Sequence, residues 1–82
     1  LDKLYVLPSQ HGRGIGRALI AHVEDAARRD GARTLILNVN KRNEKAIAAY
    51  RACGFATRES VCVDIGAGYA MDDYVMAKAI RP

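Results

Sequence analysis

The chain has 82 residues, of which half are hydrophobic and 27% are charged, and its formal net charge is +4. This length allows one domain at most, and the composition is ordinary for a soluble globular protein. No apolar run approaches the roughly 20 residues needed to span a bilayer, and no charged-then-apolar leader precedes the first strand. We therefore expect a cytoplasmic protein that does not bind membranes.

The positive charge comes mostly from nine arginines, several of them beside a glycine-rich stretch around residue 14. Such a surplus suits an anionic ligand or a nucleic acid. Aromatic residues are not interleaved with the arginines as stacking platforms, so we expect no nucleic-acid partner. The two cysteines, Cys53 and Cys62, lack the spacing of metal ligands. We expect buried free thiols rather than a disulfide or a nucleophile, and no metal.

Hydrophobic periodicity predicts a strand over residues 1–7, which Pro8 stops, and then a helix from Ile15 to about Arg29. Leu19 and Val23 belong to the apolar stripe of this helix. A second strand over residues 32–39 follows, and its unbroken apolar centre at 35–37 suggests burial on both faces. Strand, helix and strand in this order predict a right-handed crossover with parallel strands.

In the second half of the chain, the residue pattern predicts a helix that Asn43 caps at its start and Gly54 ends. A strand reaching residues 61–65, a loop at 66–68 and a strand at 74–77 complete the chain, and the last two strands are expected to be antiparallel. The predicted order is βαβαββ, which makes an α/β (α+β) fold with a mixed sheet.

A glycine-rich stretch lies between the first strand and the first helix, and it runs His11-Gly12-Arg13-Gly14-Ile15-Gly16-Arg17. Glycines at alternate positions remove the Cβ atoms from one face of a tight turn, so backbone N–H groups converge on an anion. The positive end of the helix dipole points to the same place. The spacing fits neither the Rossmann fingerprint nor the P-loop. On spacing alone, a turn that only reverses the chain remains an equal alternative.

This stretch resembles the acetyl-CoA signature of the GNAT superfamily of N-acetyltransferases, with Gly14 and Gly16 at the signature glycines and His11 in the place of Arg or Gln. A second resemblance covers Leu37-Asn38-Val39-Asn40, then Asn43-Glu44-Lys45-Ala46, and then Tyr50-Arg51-Ala52-Cys53-Gly54-Phe55. The resemblance covers essentially all of the chain and about half of the superfamily's fold. We therefore expect residues 1–82 to form a single acetyl-CoA-binding domain that lacks the N-terminal part.

The resemblance implies that acetyl-CoA is the co-substrate and that a primary amine attacks its thioester directly. It implies a cofactor site made by Val6, Leu7, His11, Gly12, Arg13, Gly14, Ile15, Gly16, Arg17, Asn40, Asn43 and Tyr50. The pyrophosphate would rest on the amides around residues 13–17, and pantetheine would lie between the first two strands. Tyr50 would also be the general acid; alternatively, it packs its helix onto the sheet.

The acceptor side is less specified. Asp72 and Asp73 flank it in the family architecture, where they are expected to attract a cationic amine or simply to be solvated. An alternative to catalysis is a non-catalytic CoA-binding or protein-interaction module derived from this fold. Because the expected missing half would leave a strand edge unpaired, we also expect a homodimer or association with that half.

Overall fold

The computed structural model describes residues 3–7 and 16–80. Within them, the strands and helices follow the predicted order βαβαββ. They are β1 (Leu4–Val6), α1 (Arg17–Arg29), β2 (Thr34–Asn40), α2 (Glu44–Ala52), β3 (Ala56–Gly66) and β4 (Tyr69–Ala79). The predicted start of the first helix at Ile15 and the first two residues of the predicted first strand lie outside the described residues.

The four strands form one mixed sheet in the order β1-β2-β4-β3. β1 and β2 are parallel, and β4 is antiparallel to both of its neighbours, β2 and β3. Both the parallel first pair and the antiparallel last pair confirm the predicted fold class. The parallel pair brings the end of β1 and the end of β2 to the same side of the sheet.

One face of the sheet carries the core. Alternate residues of β2, namely Leu35, Leu37 and Val39, are buried, and β4 adds Met76 at the position paired with Leu37. A single cluster of buried residues joins these side chains to Ile20 and Ala27 of α1 and to Ala46, Ile47 and Tyr50 of α2. Both helices therefore pack on the same face of the sheet.

The opposite face of the sheet carries no helix in the described part of the chain. Leu4 and Val6 of β1 project from this open face, and 46% and 63% of their surfaces are exposed. The side-chain alternation in β4 and the pairing of Val63 with Met71 put these two exposed residues on the open face too. Four of the five large exposed hydrophobic side chains among the described residues thus share one face.

Four details differ from the sequence expectations. Ile36 is only half-buried, because its side chain lies on the open face. Leu19 is exposed and its place in the apolar stripe of α1 is taken by Ile20, whereas Val23 packs against the core as predicted and Ala27 is fully buried. β4 begins at Tyr69 rather than near residue 74.

The fourth difference concerns the cysteines. Both are free, as expected, but Cys62 is exposed and Cys53 is only half-buried. Cys62 pairs with Asp72, in the part of the β3–β4 hairpin that extends beyond the last pair of β2 with β4. None of the helices that the structure describes is long and apolar enough to cross a membrane.

Candidate functional site

The first helix connects the parallel strands β1 and β2, so its N-terminus is directed to the carboxyl end of this strand pair. Gly16 is its N-cap residue, with extended backbone, and the first helical hydrogen bond runs from the Ile20 N–H to the Gly16 carbonyl at 3.0 Å. The N–H groups of residues 17–19 therefore have no partner within the helix, and they point toward the space in front of it. Together with the helix dipole they favour an anion there. His11, Gly12, Arg13, Gly14 and Ile15 lie outside the described residues.

Val6 and Leu7 end the described part of the first strand region. The Leu7 N–H donates to the Ile36 carbonyl at 2.8 Å, so the first two strands are hydrogen-bonded up to this point. Since successive N–H groups alternate in direction, that of Val6 faces away from β2. β2 runs on to Asn40, and the backbone of Asn38 faces the side that β1 has left. From Asn38 onward, the backbone groups of β2 that face this side are therefore available to hydrogen-bond an extended ligand arm.

The turn that joins β2 to α2 is fixed by its two asparagines. The Asn40 side chain accepts from the Arg42 N–H at 2.9 Å, and the Asn40 carbonyl accepts from the Asn43 N–H at 3.0 Å. Asn43 caps α2 as predicted, since its Oδ1 accepts from the Ala46 N–H at 3.3 Å. This bond uses the oxygen of the Asn43 amide and leaves its NH₂ group as a donor for a ligand.

Tyr50 lies in the core, with 5% of its surface exposed. Its ring meets the ring of Phe55 edge-on, with centroids 5.8 Å apart. Tyr50 shares the buried side of α2 with Ala46 and Ile47, so it packs this helix onto the sheet, as the alternative interpretation expected. Its role as a proton donor stays a prediction.

Lys41 connects the β2–α2 turn to β4. The side-chain Nζ of Lys41 lies 2.6 Å from the Asp72 Oδ1 and 5.4 Å from the centroid of the Tyr74 ring. The backbone N–H of Lys41 donates to the backbone carbonyl of Asp72 at 3.0 Å. The hydrogen bond to the Asp72 carboxylate raises the pKa of Lys41, and desolvation offsets this partly. Lys41 therefore keeps its proton, and the ion pair persists, to a higher pH than for an unpaired lysine.

A groove of about 240 Å³ separates α1 from the end of α2. It is lined by Arg17, Ile20, Ala21, Glu24, Ala52, Cys53 and Lys78. The Lys78 ammonium is 3.0 Å from the Glu24 carboxylate, whereas Arg17 takes part in no ion pair among the described residues. Arg17 is thus a cation available to a phosphate at the helix start.

Sequence reasoning missed two residues of this region, Asn38 and Lys41. Asn38 follows from the strand alternation once the end of the β1–β2 pairing is known. The partnership of Lys41 with Asp72 joins residues 31 positions apart, so only the β2–β4 register reveals it. Nowhere in residues 3–7 and 16–80 do three metal-ligating side chains come together.

Parallel strands that end beside an uncapped helix N-terminus define an α/β domain with an anion site at the carboxyl end of its strands. Comparison with known proteins gives this domain its family. The model of the acetyltransferase (GNAT) family matches residues 1–55, which is more than half of the chain. The chain belongs to this family.

Relatives and solved structures agree with the family. Streptothricin acetyltransferase of Streptomyces lavendulae is 46% identical over 56 residues, which are 68% of this chain and 30% of that protein. An uncharacterized N-acetyltransferase of Mycobacterium tuberculosis is 36% identical over 80 residues, or 98% of this chain and 51% of that protein. The crystal structure of a GNAT-family acetyltransferase from Streptococcus pneumoniae is 29% identical with a TM-score of 0.67, and the similarity covers 87% of this chain and 43% of that one. The chain thus spans about half or less of these proteins.

Proposed function

We propose that the protein transfers the acetyl group of acetyl-CoA to a primary amine by direct attack. In this reaction the amine nitrogen forms a bond to the acetyl carbon while the carbon–sulfur bond breaks. The amine loses a proton to a base, and the CoA thiolate accepts one, for which Tyr50 is our candidate donor. Positioning and oxyanion stabilisation supply the rest of the rate enhancement.

The observation that carries this proposal is the family membership together with the helix start at Gly16. Residues 17–19 offer three N–H groups without a helical partner, and Arg17 offers a cation beside them. These groups suit the pyrophosphate of acetyl-CoA. The glycines and arginine that precede them in sequence complete the proposed cradle, and Asn38, Asn40 and Asn43 lie along the proposed path of the pantetheine arm.

The acceptor is proposed as an amine by chemical class. One relative is named for streptothricin, and the M. tuberculosis relative has no acceptor in its name. Asp73 of β4 pairs with Asn40 at the end of β2, and Asp72 precedes Asp73 on β4. The Asp73 carboxylate supports a cationic amine as the acceptor, because it brings negative charge to the end of the sheet where the cofactor arm is proposed, whereas the Asp72 carboxylate is paired with Lys41.

We include two further expectations in the proposal. One is a cytoplasmic location, which cell fractionation tests. The other is a homodimer or association with a segment equivalent to the rest of the relatives' length, which the open face of the sheet supports. Oligomeric state is measured by sedimentation.

Calorimetric titration of acetyl-CoA tests the binding step, with Gly16→Val as the decisive variant. A Cβ at Gly16 meets no described atom within 4 Å, and the backbone there has φ −67°, which any residue adopts. The added side chain enters space that no described atom occupies, and we expect it to compete with the proposed phosphate. We expect at least about tenfold weaker binding, because displaced charge-assisted hydrogen bonds are worth about 1.5–3 kcal/mol each.

Ala49→Val, at an exposed position of α2, is the control, because it also introduces a β-branched valine but does so away from the start of α1. It should bind acetyl-CoA like the wild type. A folded wild-type chain that does not bind acetyl-CoA contradicts the proposed function. Binding without turnover of any amine in a library of amines favours the non-catalytic CoA-binding module instead.

A further inference from the structure

We propose that Lys41 and Asp72 are positioning residues, which hold the Asn40–Asn43 turn in place for the acetyl-CoA arm. This inference rests on the proposed function, since it assigns the support of the same site. The resemblance that identifies the cofactor residues gives no role to Lys41. Its partners in the structure do.

The turn is tied internally by its own asparagines. The hydrogen bonds of Asn40 to Arg42 and to Asn43, and that of Asn43 to Ala46, all join residues within a span of seven. Such bonds fix the shape of the turn, and the pair of Asn40 with Asp73 fixes its start to β4. The place of the residues beyond that pair depends on further contacts with the sheet.

Lys41 makes those contacts from the middle of the turn. Its N–H continues the β2–β4 ladder by one bond beyond the last pair, Asn40 with Asp73. Its ammonium adds the 2.6 Å contact with the Asp72 carboxylate and lies over the Tyr74 ring. Three contacts with β4 thus converge on one residue between the two asparagines.

The side chain of Lys41 is three-quarters buried, with 24% of its surface exposed, whereas half of the Asp72 side chain is exposed. Solvent therefore screens the ion pair mainly from the Asp72 side. Its raised pKa keeps Lys41 charged at the pH of any practical assay. Removing either charge leaves the backbone bond in place, so the variants loosen the turn without removing the strand.

Two variants separate positioning from simple attraction of an anionic ligand. Lys41→Met removes a positive charge, and Asp72→Asn removes a negative one. General electrostatics predicts that Lys41→Met weakens the binding of anionic acetyl-CoA and that Asp72→Asn strengthens it. Positioning predicts that both weaken it, by about threefold to tenfold in Kd, and that the double variant is no worse than either one.

Two control variants test the loss of a lysine charge near the turn and the retention of a cation at residue 41. Lys45→Met, at an exposed position of α2, makes the same change of charge beside the turn. It should change the Kd by less than about twofold, as a surface substitution does. Lys41→Arg keeps the cation and should restore most of the affinity. Thermal unfolding confirms that every variant is folded at the temperature of the titration.

Hydrogen exchange in the ligand-free protein supplies a second, independent measurement. In Lys41→Met and Asp72→Asn, the amides of Asn43 and Ala46 should exchange faster, while those of α1 stay as in the wild type. Tighter binding by Asp72→Asn, equal effects of Lys41→Met and Lys45→Met, or unchanged exchange at the turn would overturn the inference. A wild type that fails to bind acetyl-CoA contradicts the proposed function instead, and the exchange data then decide the positioning role alone.

Discussion

Tyr50 is the residue at which packing and chemistry make different predictions. Tyr50→Phe keeps the ring that meets Phe55 and removes only the hydroxyl, so the fold should be retained. If the hydroxyl donates a proton or a hydrogen bond to the leaving thiolate, kcat should fall by roughly 10²–10⁴-fold with little change in KM. Steady-state kinetics with a saturating amine measure both constants.

Thermal unfolding of Tyr50→Phe is the companion measurement. A lower kcat with an unchanged melting temperature identifies a catalytic hydroxyl, because the core packing is intact. An unchanged kcat would leave Tyr50 as a packing residue of α2. A lower kcat that accompanies a large loss of stability would point to a structural effect, and Phe55→Leu would then show the cost of disturbing the same ring pair.

Asn43 links residue to element, because its side chain determines where α2 begins. Asn43→Ala removes the acceptor of the Ala46 N–H and should destabilise the protein by about 0.5–2 kcal/mol. Urea denaturation measures the free energy of unfolding. Asn38→Ala is the control, since Asn38 is exposed on a strand and should cost less than about 0.5 kcal/mol. Equal costs for the two variants would contradict the capping role.

The elements that local sequence determines are those that could be predicted. The cap at Asn43, the helix stop at Gly54 with its φ of +99°, and the parallel crossover all follow from residue types and spacing. The first half of β4 could not be predicted in this way. Its segment, with Asp72 and Asp73 in succession, lacks alternation, and it is extended because it pairs with β3 across the turn at residues 67–68.

The candidate site likewise contains parts that follow from local sequence and parts that depend on the pairing of distant residues. Gly16 and Arg17 lie at the start of α1, close to the helix start that the sequence predicted, and their contact with a cofactor stays a prediction. The contact of Lys41 with Asp72 depends on the register of the antiparallel strands β2 and β4. A single sequence does not encode register in any local pattern, so this contact had to be seen in the structure.

At the scale of the molecule, the dominant feature is the open face of the sheet. β1 has β2 on one side and no strand on the other within the described residues, and its exposed Leu4 and Val6 adjoin that edge. An unpaired edge with apolar neighbours favours pairing with another chain. We predict that the 82-residue chain forms a homodimer, with a sedimentation mass near twice that of the monomer.

Leu4→Lys tests this prediction against Leu19→Lys. The two leucines are exposed to nearly the same extent, 46% and 48%, but Leu4 lies on the open face and Leu19 on α1. In a symmetric dimer each substitution is present twice, and burial of the exposed 46% of Leu4 contributes about 0.7–1.4 kcal/mol per copy. Leu4→Lys should therefore weaken dimerisation by about tenfold to a hundredfold, while Leu19→Lys sediments like the wild type. If the wild type is monomeric at high concentration, or if both variants dissociate alike, the open face does not hold a second copy.

A segment equivalent to the rest of the relatives' length is then the occupant to test, by adding it in trans and measuring whether acetyl-CoA binding increases.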